Sequence, residues 1–172
     1  NGGLVAKELM HQLGEAETAR LIDKVIFVAV PQSGAPQALG ALLYGYKEGL
    51  PWWFPWIVST ATARQFSENS PMGYHLLPSE SYFRDTQDQY HSLASFGSGD
   101  AYQKERDAYG SEISSFTELR GFALAEEGGR TKPHSDNFWS ANVLNPSLME
   151  YAETIHSKVD SWTPPSGVTV YQ

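Results

Sequence analysis

Val5, Leu9 and Leu13 recur four residues apart beside Leu4, which predicts a helix over Gly3–Leu13. Gly14 follows where a helix C-terminus favours a left-handed residue. A polar stretch, Glu15–Ile22, reads as a short helical connector. It leads into Lys24–Val30, which is apolar without interruption from Val25 and is ended by Pro31. A run with no polar alternation predicts a strand covered on both faces, as in the centre of a parallel sheet. Beyond Pro31 the pattern turns helical and is punctuated by Gly and Pro. Helices are expected over Ala38–Tyr46, Thr60–Glu68, Asp100–Tyr109 with Asp100 as cap, and Ser115–Glu127, stopping at Gly128-Gly129. Gly73–Pro78 and Ser79–Gln89 read as loop. The clearest helix is the last: Asn145 stands at the cap, Pro146 at the first helical position, and Leu148, Ala152, Ile155, Val159 and Trp162 share a face. Pro164-Pro165 closes it, and Gly167 turns into a β-branched terminal strand, Val168–Gln172.

This order predicts an α/β fold with pieces of a parallel sheet at both ends and a long, mainly helical insertion between them. The expected division is a core segment over 1–37, a helical cap or lid over 38–165, and the start of the next core strand over 166–172. Both ends read as lying inside a larger fold: the chain opens on a helix and closes on a strand still running.

Charge and composition narrow the function. Twelve Lys and Arg against twenty Asp and Glu give a net charge of −8, with no basic run, which argues against a nucleic-acid partner. No stretch approaches the roughly 18 apolar residues of a membrane span. The chain has no cysteine, so thiol catalysis and Cys-based metal sites fall away. His11, His75, His91, His134 and His156 show no H-x-x-x-H or H-E-x-x-H spacing, and neither metal nor cofactor is expected. The compartment stays open.

Acyl-transfer enzymes of the α/β class carry their nucleophile in G-x-S-x-G, on a strand-to-helix turn tight enough to need small residues. No serine here is flanked in that way. Asn1-Gly2-Gly3 before an apolar helix fits the residues that follow such a serine, with Asn1 in the variable slot and Gly2 as the second glycine. Thr131-Lys132-Pro133-His134-Ser135-Asp136 does bring Ser, His and Asp together, but neighbours in a Pro-containing loop do not converge on one proton path, and the segment reads as surface hydrogen bonding.

Several segments then align in order: Asn1–Lys7; Val28-Ala29-Val30-Pro31-Gln32-Ser33-Gly34-Ala35-Pro36; Ala61-Thr62-Ala63-Arg64 with Glu68-Asn69-Ser70-Pro71; Tyr74-His75-Leu76-Leu77-Pro78-Ser79; and Trp162-Thr163-Pro164-Pro165. Together they resemble a lecithin:cholesterol acyltransferase-like member of the α/β-hydrolase superfamily, over nearly the whole chain. The resemblance implies the stretch from just after the nucleophile elbow to the strand before the catalytic acid. Serine, acid and histidine of the triad would all lie outside it, and the catalytic set in this chain is empty. It also implies acyl chemistry on a lipid or other ester. The backbone N–H of Asn1 would serve the oxyanion. Gln32 and Ser33, in the loop at the end of the buried strand, read either as facing a ligand crevice or as a structural turn.

Trp52, Trp53, Phe54 and Trp56 form the densest aromatic cluster. It reads either as packing within the insertion or as a substrate-facing lid surface or lipid-interface anchor. Self-association through open strand edges is also expected. The rival function is a non-catalytic domain that binds lipid or protein.

Overall fold

Gly14 divides the first helix. The structure, a computed structural model, describes residues 2–45, 59–86, 88–89, 91–127, 130–134, 136–137 and 139–172. Helix α1 (Gly2–Leu21) is two helical stretches joined at Gly14, whose φ of 74° is open to glycine and costly for a residue with a Cβ. Strand β1 (Lys24–Ile26) follows and pairs in parallel with β4 (Thr169–Tyr171), Val25 standing opposite Val170. The pieces of parallel sheet expected at the two ends of the chain are present and pair with one another, with helices filling the sequence between them.

The expected strand Lys24–Val30 is cut short. Ala29 adopts a left-handed φ of 50°, which breaks the extended backbone, and Ile26 and Val28 are 66% and 78% exposed. The apolar run is not covered on both faces; among the described residues β1 has β4 as its one strand neighbour.

Helix α2 (Pro36–Tyr44) ends at Gly45 in the left-handed region, and α3 (Thr60–Glu68) is capped by Ser59, whose hydroxyl accepts from Thr62 N. Two short helices, α4 (Pro71–Tyr74) and α5 (Glu80–Thr86), occupy much of the stretch expected to be loop. Strands β2 (Ala94–Ser95) and β3 (Glu112–Ile113) pair antiparallel around α6 (Gln103–Tyr109). Asp100 is not a helix cap: it begins a single 3₁₀ turn, Asp100–Tyr102, that runs into α6. Helix α7 (Phe116–Leu124) starts at a capping box in which Ser115 and Glu118 satisfy one another's backbone N–H. It stops before Gly128 because Ala125 turns left-handed. Helix α8 (Pro146–Val159) starts at Asn145, whose side chain accepts from Ser147 and Leu148 N.

The apolar core is gathered from distant elements. Leu39, Leu42 and Leu43 of α2 meet Tyr74, Leu119 and Phe122, and Met149 and Ala152 of α8 close the cluster. A buried polar network pins the same elements: the Glu68 carboxylate accepts from Lys132 Nζ at 2.7 Å and from Asn142 Nδ2. Tyr74 Oη donates to Glu68 O and accepts from Asn145 N, each at 2.8 Å, so α3, α4 and the start of α8 share one hydroxyl. Helix α8 packs against both α4 and α1 and so couples the helical part to the parallel pair.

Candidate functional site

Open α/β sheets place ligand crevices outside the C-terminal ends of their strands, and a cavity lies there beside β1 and β4. Here that crevice measures about 860 Å³. Phe27, Gln32, Ser33, Tyr82, Trp162 and Lys7 stand in its wall. Past β1 the chain turns at once: Gln32 N donates to Val30 O at 2.9 Å and Gly34 N to Pro31 O at 3.2 Å. Gln32 Nε2 reaches across the mouth to Gln172 Oε1 at 2.7 Å, bridging the ends of β1 and β4.

The crevice loop is fastened from behind. Ser79 N donates to Ser33 O at 2.9 Å and Ala35 N to Leu76 O at 2.8 Å. Gly34, at φ 100°, lies where a Cβ would strike the Leu77 carbonyl and sit 2.7 Å from Pro78 Cα, so this junction closes only over glycine. A second close approach locates α1: a Cβ on Gly3 would run into the Val30 side chain, which brings the first turn of α1 beside the end of β1.

Behind the loop stands a buried polar cluster. Ser79 Oγ donates to Asp160 Oδ2 at 2.6 Å, and His156 Nδ1 lies 2.9 Å from Asp160 Oδ1. His156 Nε2 lies 3.0 Å from His75 O, so both ring nitrogens face acceptors and the ring satisfies both when it carries both protons. His156 and Asp160 side chains are 8% and 11% exposed. Burial alone would raise the Asp160 carboxyl; donation from His156 and Ser79 outweighs it and holds the group below its ordinary value. Lys7 is shifted down, chiefly by burial, which the charge of Asp160 partly opposes. Its ammonium donates to Val159 O at 3.4 Å and lies 5.6 Å from the centroid of the Trp162 ring.

This cluster contains the residue types of an acyl-transfer triad in an order that cannot run one. A triad needs imidazole between hydroxyl and carboxylate. Here the carboxylate lies between Ser79 and His156, and the remaining ring nitrogen is occupied by a carbonyl. The Ser79 hydroxyl donates to the carboxylate, and among the described residues no imidazole nitrogen faces it. Asp160 acts instead as a clamp joining α8 to the segment that backs the crevice loop.

Gln32 and Ser33 thus stand together at the crevice. Asn1, Trp52, Trp53, Phe54 and Trp56 lie outside the described residues, as does Ser135. His134 Nδ1 and Asp136 Oδ1 are 2.5 Å apart on the open surface. Among the described residues no three His, Asp or Glu side chains converge as metal ligands, and no helix is long and apolar enough to cross a membrane. The clamp was not found from sequence, although His156 and Asp160 stand four apart on α8, a spacing that places both on one helix face.

Residues 2–161 match the family model described as lecithin:cholesterol acyltransferase. No curated protein and no solved structure matches the chain.

Proposed function

This chain belongs to the lecithin:cholesterol acyltransferase family, and from that premise we propose that it is the crevice-bearing segment of a serine acyltransferase or hydrolase. Lipid acyl chemistry is the coarse assignment that membership carries; the division of labour below is our reading. The observation that supports it most is the crevice at the ends of β1 and β4, with the first turn of α1 beside Val30.

In this reading the nucleophilic serine precedes Asn1, in a G-x-S-x-G turn whose last glycine is Gly2. Its oxygen bonds to the ester carbonyl carbon as its proton passes to a histidine. The carbonyl π electrons move onto oxygen, and the resulting oxyanion takes hydrogen bonds from backbone N–H groups including that of Asn1. The N-terminus of α1 adds positive potential there. Collapse of the intermediate expels the alcohol, which takes the proton from the histidine. A second alcohol or water then attacks the acyl-serine by the same route in reverse. Gln32 and Ser33 orient the ester, and Trp52, Trp53, Phe54 and Trp56 supply the lid surface or lipid contact. Residues 1–37 and 166–172 belong to the hydrolase core and 38–165 to the cap. The acid and the histidine are assigned to polypeptide beyond these 172 residues, which leaves the chain inert alone and its strand edges open to self-association.

The test is activity gained by extension. The purified chain is expected to show no turnover of p-nitrophenyl butyrate or palmitate. Polypeptide extended at both ends along its own reading frame is expected to turn over and to be labelled by a fluorophosphonate at the elbow serine. Labelling of a serine within residues 2–172, with turnover, overturns the assignment. An inert doubly extended protein that still binds lipid supports the non-catalytic binding domain instead.

A further inference from the structure

On the side of α1 opposite Lys7 and the strand-end crevice lies a separate cavity of about 570 Å³. Val5 and Leu9 of α1, Met72 of α4 and Ile155 of α8 line it beside the buried Leu4. Val5, Leu9 and Met72 are each more than half exposed, so apolar surface stands open at its mouth. Ligand cavities of this size are mainly apolar, with a few placed polar groups that fix what binds.

Two such groups are set in the wall. Glu8 Oε1 accepts from Gln12 Nε2 at 2.9 Å, but Glu8 Oε2 is buried without a donor, and His75 Nε2 is likewise buried without a hydrogen bond. Among the described residues neither side chain has an ion-pair partner. The last torsions of Glu and His are broad and soft, so a small turn brings either atom to the cavity. Gln12 and Tyr151, the other polar side chains of the wall, are exposed and open to water. Buried polar atoms are nearly always filled in native proteins, and two orphans in one apolar wall point to a ligand that supplies their partners.

The wall selects the chemistry of that ligand. The carboxylate needs a donor. The imidazole is neutral at neutral pH, because burial chiefly, and His156 in addition, hold it below its ordinary value of 6.5. One hydroxyl answers both groups, donating to Glu8 and accepting from His75 Nε2–H. A carboxylate or phosphate head would meet the charge of Glu8 with no Lys or Arg in the wall to offset it. An ammonium would enter beside an imidazole that burial already keeps from protonating. The His75 and Tyr151 rings, with centroids 5.4 Å apart and planes tilted by 42°, and the Met72 thioether favour an aromatic body. A phenolic O–H is also a stronger donor to a carboxylate than an aliphatic one.

We propose that this cavity binds a neutral apolar molecule of the phenol class, its ring against Met72 and Tyr151 and its hydroxyl between Glu8 and His75. The site is separate from the crevice and independent of where the catalytic serine lies.

The test titrates the full chain with para-propylphenol, propylbenzene, para-propylcyclohexanol and para-propylbenzoate while following the methyl resonances of Met72 and Ile155. Saturable shifts are expected with propylphenol, weaker binding with propylcyclohexanol and propylbenzene, and none with propylbenzoate. Glu8→Ala, a change that suits a helix, is expected to weaken propylphenol about tenfold, the scale of one hydrogen bond to a charged group, and to leave propylbenzene unchanged. Leu9→Trp, at a half-exposed position, should fill the mouth and abolish all binding. Propylbenzene or propylcyclohexanol binding as tightly as propylphenol, any saturable shift with propylbenzoate, or indifference to Glu8→Ala overturns the proposal. So does binding that survives Leu9→Trp, or the absence of any saturable shift in the unaltered chain.

Discussion

At the scale of single residues the clamp around Asp160 shows how this chain handles a buried charge. A carboxylate taken out of water is costly unless its lone pairs are filled. Asp160, at the C-cap of α8, fills them from His156 of that helix and from Ser79, 81 positions away. Asp160 lines two cavities, and Lys7 stands in the wall of one and Arg84 in that of the other. Because the folded carboxyl is held below its ordinary value of 3.8, its contribution to stability is full above that value. It is lost as pH falls through the depressed folded value. Asp160→Asn replaces an acceptor of the Ser79 and His156 hydrogen bonds by an amide whose NH2 can only donate, and is expected to cost about 1–3 kcal/mol at neutral pH. The variant should also lack the steepest acid part of the wild-type stability profile, so the two urea midpoints converge below pH 3.8. Parallel profiles down to the lowest accessible pH would show that Asp160 is not the group that titrates there.

Among the elements, those whose start is written in side-chain chemistry were legible. Ser115 with Glu118, and Asn145 before Pro146, mark their helices because the caps are local and need nothing from the rest of the fold. Helix α3 matched its expected span. Helix α5 was not legible: Glu80–Thr86 has no apolar periodicity, and it is held through Arg84 on Ser81 and Ser79 on Asp160. Strands β2 and β3 are two residues each and exist through their mutual pairing, which no local pattern encodes. The stripe on α8 was read one step aside, for the buried set is Met149, Ala152, His156 and Val159, and a histidine does not register as a core residue. The local cap yields a local test. Asn145→Ala should lower stability by about 1 kcal/mol, read as a urea midpoint shift with unchanged slope, whereas Asn145→Asp should retain it because an anion suits a helix N-terminus. No loss in either variant would place the role of Asn145 in its backbone bond to Tyr74 rather than in the cap.

On the scale of the whole molecule, the strand-end place of Gln32 and Ser33 was legible because strand, Pro31 and a small-residue loop occur in that order, and both residues line the cavity there. Its backing was not, because Ser79 and Asp160 are ordinary polar residues until the fold brings them together. The same topology leaves one consequence exposed. Strand β1 pairs with β4 alone among the described residues, so each keeps a row of unpaired backbone groups at its other edge. Ile26, Val28 and Tyr171, at 66%, 78% and 53% exposure, place large apolar side chains beside that row. An open edge flanked by apolar groups recruits another strand, and a second copy of the chain is always at hand. The net charge of −8 opposes that encounter. Association should therefore strengthen as salt screens the repulsion, the reverse of an interface built on opposite charges. Light scattering on the purified chain is expected to give a mass that rises with protein concentration and rises further between low salt and physiological ionic strength. Ile26→Lys with Val28→Lys should hold the mass at one chain while shifting unfolding by no more than about 0.5 kcal/mol per exposed site. A wild-type chain that stays monomeric across the whole range, or a double variant that still associates, would mean that the edges of β1 and β4 are not what draws copies together.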